Sequence, residues 1–238
     1  GTVLSYGWSG RDLRLDNLRP HRDGQQLDLT VQGIKKSVWL PLIGDFQALN
    51  ALCAVGVVLA VGGNPDDTIN RLGHLVTVRG RLELATKLSN GATIYVDYAH
   101  TPDALKKVLI AMRSHTIGNL FLVFGCGGDR DSGKRKEMGI IASKYADEVV
   151  ITDDNPRTED PALIRNQIFG NCGGASVITD RKQAISESIS RLKSDDSLVI
   201  AGKGHESEQI FHSKKMAFDD VDVANTIALN YQTREVYQ

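Results

Sequence analysis

Apolar and polar positions change their rhythm partway along the chain. Through residues 2–40 short apolar stretches alternate with polar ones, broken at Trp8-Ser9-Gly10, Asp23-Gly24 and Gln32-Gly33. That pattern predicts a few antiparallel strands. After Leu40-Pro41-Leu42-Ile43-Gly44 a helix is predicted from Asp45 to Val61, ending at Gly62-Gly63. Phe46, Leu49, Cys53, Val57 and Ala60 fall on one stripe of it, and Asn50 lies inside that stripe at helical spacing. A buried, satisfied asparagine or a polar group facing an interdomain cleft would both fit. A second helix is predicted from Pro65 to Leu75, with Asn64 as N-cap and Pro65 at N1.

Beyond Val78 strands alternate with helices. Strands are predicted over Ile94–Tyr98, Leu120–Phe124, Glu148–Thr152, Ala175–Ile178 and Leu198–Ala201, and helices over Thr101–Ser114, Lys134–Tyr145, Pro161–Phe169, Arg181–Leu192 and Asp219–Leu229. Such alternation builds right-handed βαβ units and a mostly parallel sheet, the signature of an α/β domain. The boundary is expected near Val78, giving parts of 1–78 and 79–238.

Parallel sheets bind ligands beyond the carboxyl ends of their strands, so the loops there carry the candidate chemistry. In Asp97-Tyr98-Ala99-His100-Thr101-Pro102-Asp103, Thr101 and Pro102 suit the start of a helix. Asp97, Tyr98 and His100 are left as groups able to meet a ligand. Gly125 to Arg135 contains Gly128-x-x-x-x-Gly133-Lys134, the opening of a phosphate loop, but Arg135 stands where a magnesium-binding hydroxyl belongs. A glycine turn that lets Arg130 reach another anion is the competing reading. Asp154-Asn155-Pro156-Arg157 reads either as an acidic turn before a helix or as a grip on a zwitterion. In the second case Arg157 offers a planar fork to a carboxylate and Asp154 accepts from an ammonium. In Gly202-Lys203-Gly204-His205-Glu206 the glycines allow close backbone approach and Glu206 could bind an amine. A tight turn with a solvated Lys203 is the plainer alternative.

Composition narrows the classes. With 28 basic and 29 acidic residues the net charge is −1, so no global field favours nucleic acid or an anionic membrane. Cys53, Cys126 and Cys172 are odd in number and include no CxxC pair, which argues against a disulfide framework or zinc site and for a reducing, cytoplasmic setting. The longest apolar run, Ala51 to Val61, is too short to span a bilayer. Gly1-Thr2-Val3-Leu4 reads as strand from the first residues, which suggests a piece of a longer protein.

Taken together, Val96 to Asp103, Phe124 to Lys134, Asp154 to Arg157 and Ala201 to Glu206 resemble the C-terminal domain of the Mur ligases, and most closely the members that add meso-diaminopimelate. The resemblance runs from about Gly44 to about Leu229, with residues 1–43 matching loosely. It implies a Rossmann-like domain preceded by the tail of a central α/β ATPase domain. It also implies an ATP- and Mg2+-dependent amide ligase of peptidoglycan synthesis, in which the D-glutamyl carboxylate of UDP-MurNAc-L-Ala-D-Glu is phosphorylated and then attacked by the amine. By resemblance Arg130, Asp154, Asn155, Pro156, Arg157, Gly202 and Glu206 would hold diaminopimelate. Asn50, Arg81, Asp97, Tyr98 and His100 would line the ATP side, with the phosphate loop, the magnesium ligands and the UDP-binding domain upstream of Gly1. The near-match at Gly128 to Arg135 serves the amino acid in this family. Arg79 and Lys136 stand where the family usually has proline, which is expected to loosen turns. Two readings of other classes stay open: a non-catalytic module holding a diamino acid or a partner protein, and a nucleotidase built on Gly128 to Lys134.

Overall fold

The computed structural model describes residues 3–236, with side chains as far as residue 231. The chain divides into two compact units, Gly1–Val76 and Thr77–Gln238. The strand expected at Gly1–Leu4 is not formed where it can be seen: Val3 and Leu4 precede the first strand, and Gly1 and Thr2 lie outside the described residues.

In the first unit a four-stranded sheet has the order β1 (Tyr6–Gly7), β2 (Leu13–His21), β3 (Gly24–Val31), β4 (Ile34–Leu40). The long strands are antiparallel, while the two-residue β1 runs parallel to β2. Gln32 and Gly33, at φ 48° and 84°, make the two-residue turn between β3 and β4, a backbone twist that matches that of the flanking strands. Leu27, Leu29 and Val31 alternate inward and meet Leu13, Leu15 and Leu40. Helix α1 (Asp45–Ala60) closes this core with Ala48, Ala51, Leu52 and Val55. This is not the expected stripe. Asn50 is exposed, and its amide donates to Gln47 Oε1 at 3.2 Å. The helix is apolar on nearly every side, so periodicity did not select a face, and the face carrying two alanines is the buried one. Helix α2 (Pro65–Asn70), capped by Asn64, tightens into a 3₁₀ turn over Arg71–His74 instead of continuing to Leu75.

The second unit is a six-stranded sheet: β5 (Glu83–Lys87), β6 (Thr93–Asp97), β7 (Leu120–Phe124), β8 (Glu148–Ile151), β9 (Ser176–Val177) and β10 (Ser197–Ala201), in the order β5-β6-β10-β7-β8-β9. All pairs are parallel except β5 with β6. The connecting helices are α3 (Pro102–His115), α4 (Gly133–Tyr145), α5 (Pro161–Phe169) and α6 (Arg181–Arg191), followed after β10 by α7 (Asp220–Val236). Strands β6, β7 and β10 are buried at every position, as central strands covered on both faces must be. Ile94, Val96, Phe121, Val123, Leu198 and Ile200 share one core with Ala184, Ile185 and Ile189 of α6 and Val221 and Ala224 of α7. The expected α/β character is present.

Two elements were not expected from the pattern. One is the antiparallel edge strand β5; the other is a hairpin of β11 (Glu208–Phe211) and β12 (Lys214–Ala217). Arg79 pairs with Glu83 at 3.2 Å, Asp219 at 2.8 Å and Asp222 at 3.5 Å, tying the segment before β5 to the start of α7.

Candidate functional site

Because β6, β10, β7 and β8 run parallel, the loops that leave them emerge along one edge of the sheet. They enclose a cleft of about 340 Å³. Its lining includes Tyr98, His100, Arg130, Lys134, Asp154, Asn155, Arg157, Gly202 and Glu206. Six of the seven residues expected to hold an amino acid therefore share one cavity. The seventh, Pro156, is buried beneath it.

The loop after β7 is not shaped around a phosphate. Arg135 is 1% exposed, and its Nη1 and Nη2 donate to the two Glu159 oxygens at 2.9 and 2.8 Å, with Nη1 also on Gln167 Oε1 at 2.8 Å. The position that a phosphate loop gives to a magnesium-binding hydroxyl is thus an inward anchor. Lys134 Nζ donates to the His100 carbonyl at 2.8 Å, tying this loop to the one after β6. Glu159 also accepts from the Asp129 N–H at 2.6 Å, and the Asp129 carboxylate accepts from the Thr158 hydroxyl at 2.7 Å. The Arg135 guanidinium holds the Glu159 carboxyl below its ordinary range, and the Thr158 hydroxyl and N–H do the same for Asp129. Gly128 is required here, since a Cβ would sit 1.9 Å from the Pro156 carbonyl oxygen.

The Asp-Asn-Pro-Arg loop is braced from the side by the unexpected hairpin. Gln209 of β11 donates to the carbonyls of Asp153 at 3.2 Å and Asp154 at 2.8 Å, and the Ile210 N–H donates to Asn155 Oδ1 at 3.0 Å. Arg157 bridges to Phe211: its N–H donates to the Ile210 carbonyl at 3.1 Å and its carbonyl accepts from the His212 N–H at 2.6 Å. These bonds hold Arg157 at φ 52°, a left-handed backbone that costs a branched-free but bulky residue some strain. Arg157 Nη1 is occupied by the carbonyls of Gly128 at 2.8 Å and Asn155 at 3.4 Å, while Nε and Nη2 make no hydrogen bond among the described residues. The Asp154 carboxylate likewise accepts none; its Oδ2 would lie 2.7 Å from a Cβ at residue 202, so Gly202 is what leaves room for it. Beneath the loop, burial pushes the Asp153 carboxyl up although Arg165 pairs with it.

Lys203 corrects the expectation of a solvated turn residue: it is 0% exposed. Its ammonium donates to Asn155 Oδ1, on the wall of the cleft, and to the Glu208 carbonyl. A second cation below the site, Arg181, is paired with Asp220 at 2.8 Å with both side chains fully buried, and Nη2 also donates to the Ala201 carbonyl.

The residues expected on the nucleotide side divide. Arg81 lies over the Tyr98 ring at 4.7 Å, and Tyr98 contacts the rings of His100 and His205 at 4.6 and 5.0 Å. Asp97 is 6% exposed, and its two oxygens accept from the N–H groups of Leu82 at 2.8 Å and Ala99 at 2.7 Å. Burial raises its pKa, against the opposing effect of those bonds and of Arg81. Tyr98 and His100 line the cleft with the amino-acid residues, and Asn50 belongs to the first unit.

Known proteins resemble this chain in sequence and in fold. A family model described as "Mur ligase, glutamate ligase domain" matches residues 80–204. UDP-N-acetylmuramoyl-L-alanyl-D-glutamate–2,6-diaminopimelate ligase of Zymomonas mobilis is 47% identical over 95% of this chain and 48% of its own length. The Caulobacter vibrioides protein of the same name is 46% identical over 92% of this chain and 45% of its own. A solved structure of a ligase with that name superposes with TM-score 0.74 at 34% identity, over 98% of this chain and 48% of the other. The MurF ligase of Thermotoga maritima in complex with ADP, at 19% identity, shares the fold with TM-score 0.67 over 98% of this chain and 49% of its own. The chain spans about half the length of the curated relatives it matches.

Proposed function

This chain belongs to the Mur ligase family, and from that premise we propose that it forms the amino-acid-binding half of a cytoplasmic ligase. The reaction is ATP-dependent attachment of meso-diaminopimelate to UDP-MurNAc-L-Ala-D-Glu in peptidoglycan synthesis, releasing ADP and phosphate. The supporting observation is the cleft that unites the guanidinium groups of Arg130 and Arg157 with the carboxylates of Asp154 and Glu206, alongside Asp131 and Lys134. A diamino diacid presents the complementary set: each of its ends carries one carboxylate and one ammonium. One end reacts while the other is gripped, and guanidinium forks suit the gripped carboxylate.

Bound ATP supplies the phosphoryl group that activates the D-glutamyl carboxylate. The residues present do not fit its phosphates or magnesium, because Arg135 is committed to Glu159 and Gln167. We assign those groups, the UDP moiety and the magnesium ligands to the upstream half of the whole protein, with residues 1–78 as the tail of its central ATP-binding domain. Arg81 and Tyr98 are the surface offered to the nucleotide's base or ribose, and Asp97 supports that surface through backbone N–H groups without facing it.

Diaminopimelate and lysine differ by one carboxylate, and a charge-assisted contact contributes on the order of 1.5–3 kcal/mol. Calorimetry on this chain should therefore show preference for meso-diaminopimelate over L-lysine of at least roughly tenfold. Arg157→Ala should collapse it, and Arg157→Lys should restore little, since a point charge does not reproduce the fork. Equal binding of both amino acids, or an unchanged ratio in Arg157→Ala, would overturn this assignment.

A further inference from the structure

Lys203 lies two residues after β10 and does not face the cleft, yet it touches two groups that do. Its Nζ donates to Asn155 Oδ1 at 3.1 Å and to the Glu208 carbonyl, with Glu206 Oε2 at 3.4 Å. Asn155 Nδ2 donates to that same Glu206 oxygen at 2.8 Å. The Ile210 N–H also arrives at Asn155 Oδ1, so two donors converge on that atom and fix which way the amide lies. Its NH2 is then turned to Glu206. Both protein donors gather on Glu206 Oε2, and Oε1 accepts no hydrogen bond among the described residues.

A buried ammonium is tolerated only where its N–H groups find acceptors, and this one has three. Relative to a hydrophobic residue of similar shape such a charge adds little net stability. What it does provide is placement. Resting on the amino-acid reading of the cleft, we propose that Lys203 is a positioning residue for recognition of the substrate's ammonium group. It holds the Asn155 amide and the Glu206 carboxylate as one unit, leaving Oε1 to receive the ammonium in the cleft that Asp154 also lines.

Pimelate tests this, because it keeps both carboxylates and the carbon chain of diaminopimelate but has no ammonium. Titration calorimetry of this chain with each ligand gives a ratio that reports ammonium recognition. The unaltered chain should favour meso-diaminopimelate by at least roughly tenfold, the value of one charge-assisted contact. Lys203→Met should bring the ratio to within about threefold while pimelate affinity changes little. Glu206→Gln should lower the ratio similarly, and the double variant should lower it no further, because Lys203 acts through Glu206. A merely structural lysine would weaken both ligands alike and leave the ratio in place. That outcome, or additive losses in the double variant, overturns the proposal. Should Lys203→Met fail to melt cooperatively, Lys203→Leu, which likewise removes every donor at the position, is judged by the same ratio. Failure of the unaltered chain to bind diaminopimelate at all would instead remove the amino-acid reading, and this inference with it.

Discussion

Individual residues around this cleft are fixed by bonds that a substitute of similar size does not reproduce. Asp97 gives one oxygen to the Leu82 N–H and the other to the Ala99 N–H. Asn in its place keeps one acceptor and turns an NH2 against a backbone N–H. Asp97→Asn is expected to lower stability by about 1–3 kcal/mol in chemical denaturation, despite removing a buried charge; a neutral or stabilising effect would show that the two bonds matter less than desolvation. Asp129 and Glu159 are of the opposite kind, with pKa values held down by Thr158 and Arg135 respectively. A depressed carboxylate contributes stability above its unfolded pKa and loses it as pH falls through the folded value. The amide resonances of Asp129 and Thr158 should therefore stay in place through the ordinary carboxylate range near about 4 and move only below it. Movement in step with ordinary carboxylates would contradict the pairing. Sequence could nominate Asp97, Asp154 and Arg157 because polar residues at strand ends are conspicuous. It could not show that Asp97 spends its oxygens on backbone, or that Lys203 is buried, because both depend on partners 15 and 48 positions away.

Elements were legible where their pattern was strong and local. The expected span Leu120–Phe124 is the observed β7, and Pro161–Phe169 is α5, whose cap Asp160 accepts from the Ala162 N–H at 2.8 Å. Strand β5 and the hairpin of β11 and β12 escaped because they are short, partly exposed and rich in charge, so alternation gave no signal. The same hairpin braces Asn155 and Arg157, which places part of the site's support in its least legible segment. The glycine loop was ambiguous for a related reason: its spacing fits a phosphate loop, Arg135 in place of a hydroxyl speaks against that use, and the burial of Arg135 shows the inward role it has instead. Contact between this loop and the next element is tight at Gly128. Gly128→Ala must push the Pro156 carbonyl away, at a cost of about 1–3 kcal/mol, and should weaken diaminopimelate binding along with stability. A melting curve and a titration equal to those of the unaltered chain would mean that the two loops separate easily.

For the molecule as a whole, the decisive fact is that it matches about half of each relative. A P-loop and bound magnesium are what stabilise charge on a transferring phosphoryl group, and Arg135 closes the near-match present here to that role. The 238-residue chain by itself is expected to release no ADP when given ATP, UDP-MurNAc-dipeptide and diaminopimelate, and to bind a non-hydrolysable ATP analogue weakly. Substrate-dependent ADP release, or submicromolar affinity for the analogue, would show that a phosphate site exists within it. Among the described residues no helix is long and apolar enough to cross a membrane.

The place of β10 has a consequence for the order in which this domain is made. The strand is the last of the six to leave the ribosome, yet it occupies an interior position between β6 and β7. Until residue 201 has emerged, β6 and β7 have nothing to pair with on their facing edges, and two strands whose every residue is later buried stand open. An incomplete chain is thus exposed to sticking edge to edge with its neighbours. The strand that ends this hazard also carries Gly202, Lys203 and Glu206 at its exit, so sheet closure and assembly of the cleft both wait for the same late stretch of chain.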